Sequence, residues 1–250
     1  MTHDPGYRVG VYVVDYAIRV RVGDKGIIFG RVREYLVREF RIHLIVNDKV
    51  LDEYALSPKC IEEFIYGTLY TSGLIKSISD VGKLKVKLSE YSIPSGKLEG
   101  VTKLECNVTV SAKHIVDFVS RFIGMSEVFK ITGAVHSAAL ADPSKSNIVV
   151  FMEDIGRYNA IDKVIGWGLK NGVDFSKLVL LTSGRIFSGT VLKALKAGIP
   201  IVVSKAPPTY EAVELSREYG VTIIGFARGS RFNVYSYPER IRELRNSVNL

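Results

Sequence analysis

The sequence predicts an α/β protein, on two observations. From residue 147 onward, short apolar runs alternate with amphipathic stretches, and each stretch closes near a glycine or a lysine. NIVVFME (147–153), KLVLLT (177–182), IPIVVS (199–204) and VTIIGF (221–226) read as buried strands. GRYNAIDKVIGWGLK (156–170), residues 189–197 and TYEAVELSREYG (209–220) read as helices between them. Such alternation implies a parallel sheet with right-handed crossovers, covered by helices on both faces. A three-layer α/β core is therefore expected over residues 112–250. Residues 1–111 form a β-rich N-terminal portion with one helix, which packs on that core or extends it.

Along the N-terminal portion, residues 9–22 are β-rich, and Gly23-Asp24-Lys25-Gly26 reads as a hairpin turn into IIFGRV. Phe40, Ile42, Leu44 and Val46 alternate with polar neighbours before an Asn47-Asp48 turn. Ser57-Pro58 suits an N-cap followed by a first helical position. Ile61, Phe64, Ile65, Thr68 and Leu69 then recur at helical spacing up to a stop at Gly73. Residues 81–111 read as short strands around a loop at Pro94-Ser95-Gly96. Ile115, Phe118, Val119 and Phe122 mark an amphipathic helix over Lys113–Gly124. The small residues flanking His136 in TGAVHSAAL (132–140) suggest a closely packed helix start.

The chain of 250 residues is 47% hydrophobic and 24% charged, a globular composition. No apolar run reaches the roughly 18 residues of a membrane helix. The opening residues carry no charged-then-apolar leader, so a cytoplasmic protein is expected. Two cysteines, Cys60 and Cys106, lie far apart, and His3, His43, His114 and His136 do not cluster with them at zinc-ligand spacing. The formal net charge of +8 favours a phosphate-bearing or acidic partner, with a basic solvated surface as the lesser alternative.

Ligands of open α/β sheets bind beyond the carboxyl ends of the strands. Those ends carry Ser183-Gly184-Arg185, then Lys205-Ala206-Pro207-Pro208-Thr209, then Ala227-Arg228-Gly229-Ser230-Arg231. Small residues let backbone N–H groups approach an anion, and arginine grips phosphate bidentately. A phosphate or nucleotide cradle is expected there, with a thiol within reach. Ordinary loop composition is the competing account. Asp154, ahead of the helix that starts near Gly156, suits the helix dipole. Arg157, Asn159, Asp162 and Lys163 form either a solvated face or one turned toward the ligand. His136 is either structural or part of the cradle.

Five segments occur in this order: TGAVHSAAL (132–140), EDIGRYNAIDKVIG (153–166), Ser183-Gly184-Arg185, AGIPIVVSKAPPT (197–209) and GFARGSRFNVYS (225–236). Together they resemble the formate dehydrogenase accessory sulfurtransferase (FdhD) family, and LIVNDKVL (44–51) and residues 57–75 fit more weakly. The resemblance implies a mixed three-layer α/β/α sheet with a cytidine-deaminase-like core, usually in a homodimer. It implies sulfur taken as a persulfide from a cysteine desulfurase and passed to the molybdenum bis-pterin guanine dinucleotide cofactor, destined for formate dehydrogenase or another molybdoenzyme. It places the guanine dinucleotide against Phe226–Arg231, with GDP as an analogue, which agrees with the strand-end residues Ser183, Gly184, Arg185 and Lys205, and His136, Asp154, Arg157 and Asn159 are the further candidates for that site. The family's Cys-Gly-x-Cys-Gly loop is matched by Cys106-Asn107-Val108-Thr109-Val110, so Thr109 replaces the second cysteine and both glycines are gone. Phe187-Ser188-Gly189 stands where the family tends to show Ser, an aromatic residue and Glu.

One thiolate suffices for a persulfide, whereas a local disulfide relay needs two. Cys106 is therefore either the sulfur carrier or an inert cysteine, and Cys60 is structural. Two functions stay open: sulfur transfer through Cys106, or a cofactor-holding chaperone without sulfur chemistry. A zinc deaminase needs His-x-Glu and Pro-Cys-x-x-Cys, and His136-Ser137-Ala138 lacks the glutamate, so no zinc is expected. No nucleic-acid motif and no membrane segment is visible.

Overall fold

A computed structural model describes residues 10–90 and 102–245, so the Pro94-Ser95-Gly96 loop and His3 lie outside the described residues. The chain divides into two compact units. One takes in residues up to 13 and 37–95, the other residues 14–36 and 96–250. The expected boundary at 111/112 therefore differs from the division seen. β1 (Tyr12–Gly23) and β2 (Gly26–Val37) are long strands of the larger sheet, joined through the Asp24-Lys25 turn.

The smaller unit contains β3 (Phe40–Val46), β4 (Lys49–Leu56), α1 (Ile61–Thr71) and β5 (Val86–Glu90), in sheet order β4-β3-β5. Asn47 and Asp48 both adopt positive φ, 50° and 61°, as a two-residue hairpin turn requires. Phe40, Ile42, Leu44 and Val46 are buried, and the last two pack with Leu69 and Ile75. The helix starts later than Ser57-Pro58 suggests. Its N-cap is Cys60, at φ 55° and without a side-chain cap, and Cys60 is exposed. Residues 78–83 form a 3₁₀ turn rather than a strand.

In the larger unit α2 (Ala112–Gly124) is capped by Ser111, whose Oγ accepts from the His114 N–H at 3.1 Å. After it come α3 (Glu127–Thr132), β6 (His136–Asp142), β7 (Asn147–Asp154), α4 (Arg157–Lys170), β8 (Val179–Thr182) and α5 (Ser188–Ala197). β9 (Ile201–Ser204), α6 (Tyr210–Tyr219), β10 (Thr222–Arg228) and β11 (Arg231–Val234) complete it. The sheet has eight strands in the order β2-β1-β11-β10-β9-β8-β6-β7. Only β8-β9-β10 are parallel, while β6, β7 and β11 pair antiparallel with their neighbours, so the sheet is mixed.

His136 opens a strand, not a helix. Residues 137–142 are all buried between β7 and β8, where Ala138, Ala139 and Ala141 leave room for helices on both faces. β7 is an edge strand and only partly buried. Residues 102–109 are irregular, which removes the strand expected through Cys106.

Alternation sorts the strand residues between the two faces. Ala139, Val179, Leu181, Ile201, Val203 and Ile224 pack with Ile115, Phe118, Val119 and Phe122 of α2. On the other face α4 lies on β6 and β7, α5 on β9 and α6 on β10. There Gly168 lets α4 pass close to Phe175, 2.5 Å from where a Cβ would stand.

Candidate functional site

Because β8, β9 and β10 run parallel, their carboxyl ends share one edge of the sheet, and β6 begins at that same edge. The structure brings the residues after β8 and β9 against His136. Ser183 Oγ accepts from the Ser137 N–H at 2.9 Å and lies 3.3 Å from His136 Nδ1. Ser183 Oγ and Nδ1 thus share a hydrogen bond whose direction follows the imidazole tautomer. Ser204 Oγ donates to the Gly184 carbonyl at 2.6 Å. A Cβ on Gly184 would stand 3.3 Å from Arg157 Cβ and 3.7 Å from His136 Nδ1, so glycine lets α4 and β6 close on this turn. Burial first, then the charges of Arg157 and Lys205, hold the His136 pKa below its ordinary value.

A cavity of about 360 Å³ opens beside these groups. His136, Ser183, Lys205 and Ser126 supply its polar lining, and Phe122, Ile123, Phe129 and Ile155 its apolar walls. Phe129 belongs to α3, which is short and clamped by one carboxylate. Glu153 accepts from the N–H groups of Val128 and Phe129 and from Ser126 Oγ.

The segment Phe226–Arg231 is not a simple loop after β10. It is the tip of a β10–β11 hairpin, with a bulge between Gly225 and Arg228 and Phe226 at φ 51°. The Phe226 N–H donates to the Ala206 carbonyl at 3.2 Å, so the tip adjoins the turn after β9. Ala227 is buried in the core beneath and offers no side chain to a ligand. Arg228 and Arg231 are direct cross-strand partners, both exposed, with Gly229 and Ser230 between them.

The cations of this edge lean on aromatic rings rather than on acids. The Arg157 guanidinium lies 4.7 Å from the Tyr158 ring and 4.5 Å from Phe187. Arg185 lies 5.0 Å from Phe187, Lys205 5.3 Å from Phe129 and Arg228 5.8 Å from Phe226. Among the described residues none of Arg157, Arg185, Lys205, Arg228 and Arg231 has an ion pair, and Arg157 Nε is buried with no hydrogen-bond partner. Nothing in the sequence spacing marks Phe129, Tyr158 and Phe187 as the ring partners of these cations, although Tyr158 and Phe187 lie in segments that the resemblance covers.

Asp154 and Asn159 are engaged with each other. Asp154 Oδ1 accepts from the Gly156 N–H at 2.8 Å and from Asn159 Nδ2 at 2.9 Å, and Oδ2 pairs with Lys163 at 2.6 Å. The Lys163 hydrogen bond first, then those from Gly156 and Asn159, lower the Asp154 pKa to about 2. This cluster closes the entry to α4.

Cys106 is not within reach of the cradle, contrary to the sequence expectation. The Leu104 N–H donates to the Tyr219 carbonyl, and Arg240 donates to the carbonyls of Leu104, Gly220 and Pro200. Gly220 and Pro200 precede β10 and β9, so this segment lies at the amino edge of the same strands. β9 alone separates the two edges by about 13 Å at roughly 3.3 Å per residue. Cys106 is half-buried and lines a second cavity of about 310 Å³ with Asn107, Thr109, Tyr237, Arg240 and Arg245. Cys60 belongs to the other unit. Among the described residues no group of three or more His, Cys, Asp and Glu could hold a metal ion, and no helix is long and apolar enough to cross a membrane.

The FdhD/NarQ family profile matches residues 88–242. The chain is 31% identical over 233 residues to the "Sulfur carrier protein FdhD" of Methanothermobacter thermautotrophicus, covering 84% of this chain and 93% of that protein. It is 37% identical over 204 residues to the protein of the same name from Sulfurisphaera tokodaii, covering 72% and 80%. A solved structure described as a putative formate dehydrogenase accessory protein from Desulfotalea psychrophila superposes with a TM-score of 0.53 at 27% identity, covering 93% of this chain and all of that one.

Proposed function

The chain belongs to the FdhD/NarQ family, and from that premise we propose that it is a sulfur carrier for formate dehydrogenase maturation that also holds the anionic cofactor to be sulfurated, a molybdenum bis-pterin guanine dinucleotide. The observation that carries the cofactor half is the row of five cations without acidic partners along one sheet edge. Left empty, such a row repels itself; a polyanion relieves that repulsion and gains charge-assisted hydrogen bonds. His136, whose pKa is lowered, and the cavity beside it add a place for an uncharged part of the ligand.

The sulfur half rests on Cys106. Its thiolate attacks the outer sulfur of a persulfide on a cysteine desulfurase, the donor's S–S bond breaks, and the donor cysteine leaves as a thiolate while Cys106 keeps the persulfide. Family resemblance, rather than geometry, supports the desulfurase, a homodimer and a cytoplasmic setting. The position of Cys106 at the far edge favours a second reading, a chaperone that holds the cofactor without moving sulfur.

Two measurements on the full chain decide between them. Intact mass after incubation with a desulfurase and cysteine is expected to rise by the mass of one sulfur atom, and to stay unchanged in Cys106→Ser. GDP is expected to bind the wild type and to bind Arg228→Ala about ten-fold or more weakly, the usual cost of a charge-assisted contact. GDP binding without the mass increment leaves only the chaperone reading, and absence of both overturns the proposal.

A further inference from the structure

Strand register extends the cationic edge to a residue outside the matched family segment. Arg21 of β1 is the direct cross-strand partner of Arg231 on β11, and Arg231 is in turn the partner of Arg228 on β10. Directly opposed residues on neighbouring strands point to the same face, about 5 Å apart. Three exposed arginines thus stand in one row across three strands, spanning about 10 Å. None of the three has an ion pair or a side-chain hydrogen bond among the described residues, and Asp24 on the adjoining turn pairs with none of them. The Ser230 carbonyl accepts from the Val22 N–H at 2.8 Å, which locks the two hairpin tips in this register.

The same strand shows what an internally neutralised arginine looks like. Arg19, two residues along β1 and on the same face, is paired with Glu34 at 2.8 Å and donates to Asn233 Oδ1 at 3.1 Å. Among the described residues no acid pairs with the Arg21 row. Like charges placed directly opposite each other destabilise a sheet, so the row costs stability unless an anion lies across it.

Building on the nucleotide reading of this edge, we propose that Arg21, Arg231 and Arg228 form a diphosphate-binding row, and that Arg21 of the β1–β2 hairpin is a binding residue for the two linked phosphates of the ligand. A single phosphate reaches one or two of these guanidinium groups, whereas two linked phosphates engage all three with bidentate contacts.

The test uses the full chain, with GDP, GMP and inorganic pyrophosphate titrated by calorimetry against wild type, Arg21→Ala, Arg21→Lys and Arg19→Ala. Arg21→Ala is expected to weaken GDP and pyrophosphate at least ten-fold and GMP less than three-fold, with Arg21→Lys in between. The ligand-free melting temperature of Arg21→Ala is expected to hold or rise, because a repulsion is removed, while that of Arg19→Ala falls. If GDP binds the wild type, weakens in Arg228→Ala and is unaffected by Arg21→Ala, the row is refuted while the nucleotide reading stands. If Arg21→Ala loses melting temperature as Arg19→Ala does, a structural role replaces the binding one. Absence of GDP and pyrophosphate binding in the wild type removes the nucleotide reading and the row with it.

Discussion

Replacing Arg240 by methionine tests how the amino edge is held together. Arg240 is only 7% exposed and has no carboxylate partner among the described residues. Its guanidinium instead donates to the Gly220 carbonyl at 2.5 Å, the Pro200 carbonyl at 3.1 Å, Thr222 Oγ1 at 3.2 Å and the Leu104 carbonyl at 3.4 Å. Two of these acceptors keep other bonds: Pro200 accepts from the Thr222 N–H, and the Thr222 hydroxyl donates to the Tyr237 carbonyl. The carbonyls of Gly220 and Leu104 are left with nothing. At roughly 1–3 kcal/mol for the orphaned, buried Gly220 carbonyl and about 1–2 kcal/mol for the half-buried Leu104 carbonyl, and with the methionine stem preserving most of the packing, the loss comes to about 2–5 kcal/mol. For a chain of this size each kcal/mol moves Tm by about 2–4 °C, so a fall of roughly 4–20 °C is expected. Urea unfolding gives the free energy, and hydrogen exchange over residues 102–110 shows whether the Cys106 segment loosens with it. A change under about 1 kcal/mol at constant m-value, with unaltered exchange in that segment, would refute the view that Arg240 pins it.

Two further outcomes follow from the same geometry. Cys106→Ser is expected to leave GDP affinity within two-fold of wild type by calorimetry, because the thiol and the cradle lie at opposite edges; a loss beyond five-fold would place the thiol against the ligand. Asp154 has its pKa depressed from 3.8 to about 2, so it binds fewer protons folded than unfolded, and the stability it contributes is present above pH 3.8 and lost as pH falls toward 2. Tm followed down that window is expected to fall less steeply in Asp154→Asn, and equal slopes in the two proteins would argue against the α4 entry cluster.

The α/β half of the fold was legible because α4, β8, α5, β9, α6 and β10 each announce themselves through period and length, with Gly198 and Gly220 closing α5 and α6 at positive φ. What failed was long-range. TGAVHSAAL has the small residues of a tight helix contact, yet those same alanines fit a strand squeezed between two helical layers, and only the tertiary setting decides. The β10–β11 hairpin was hidden because Phe226 takes positive φ without being glycine, and the bulge at Gly225–Arg228 breaks the alternation that would have marked it. Cys106 was misplaced for a related reason. Its distance from the cradle depends on Arg240 and Tyr219 drawing Leu104 to the start of β10, contacts across 136 and 115 residues of sequence that no local pattern encodes. Arg185, Lys205, Arg228 and Arg231 were found because strand ends are a topological address. Arg21 was not, since nothing in residues 9–22 says which strand it will oppose.

The net charge of +8 taken alone fits nucleic acid, a nucleotide, an acidic protein or plain solvation, and the distribution of charge bears on the choice. Some exposed cations pair locally, as Lys83 does with Asp80, Lys177 with Asp174 and Arg121 with Asp117 at spacings of three or four residues, and others, such as Lys59 and Lys170, stand singly in solvent among the described residues. Arg21, Arg157, Arg185, Lys205, Arg228 and Arg231 follow no such pattern. They come from five different segments, converge on one edge of one sheet, and rest on rings or on one another. A protein binding a long nucleic acid strand needs cations spread along its path. Here they are gathered around turns and a cavity of about 360 Å³, the scale of a compact ligand. Concentrated charge without ion pairs among the described residues at the carboxyl ends of parallel strands is therefore what the proposed small polyanion would meet, and its compact placement favours that proposal over a long nucleic acid strand.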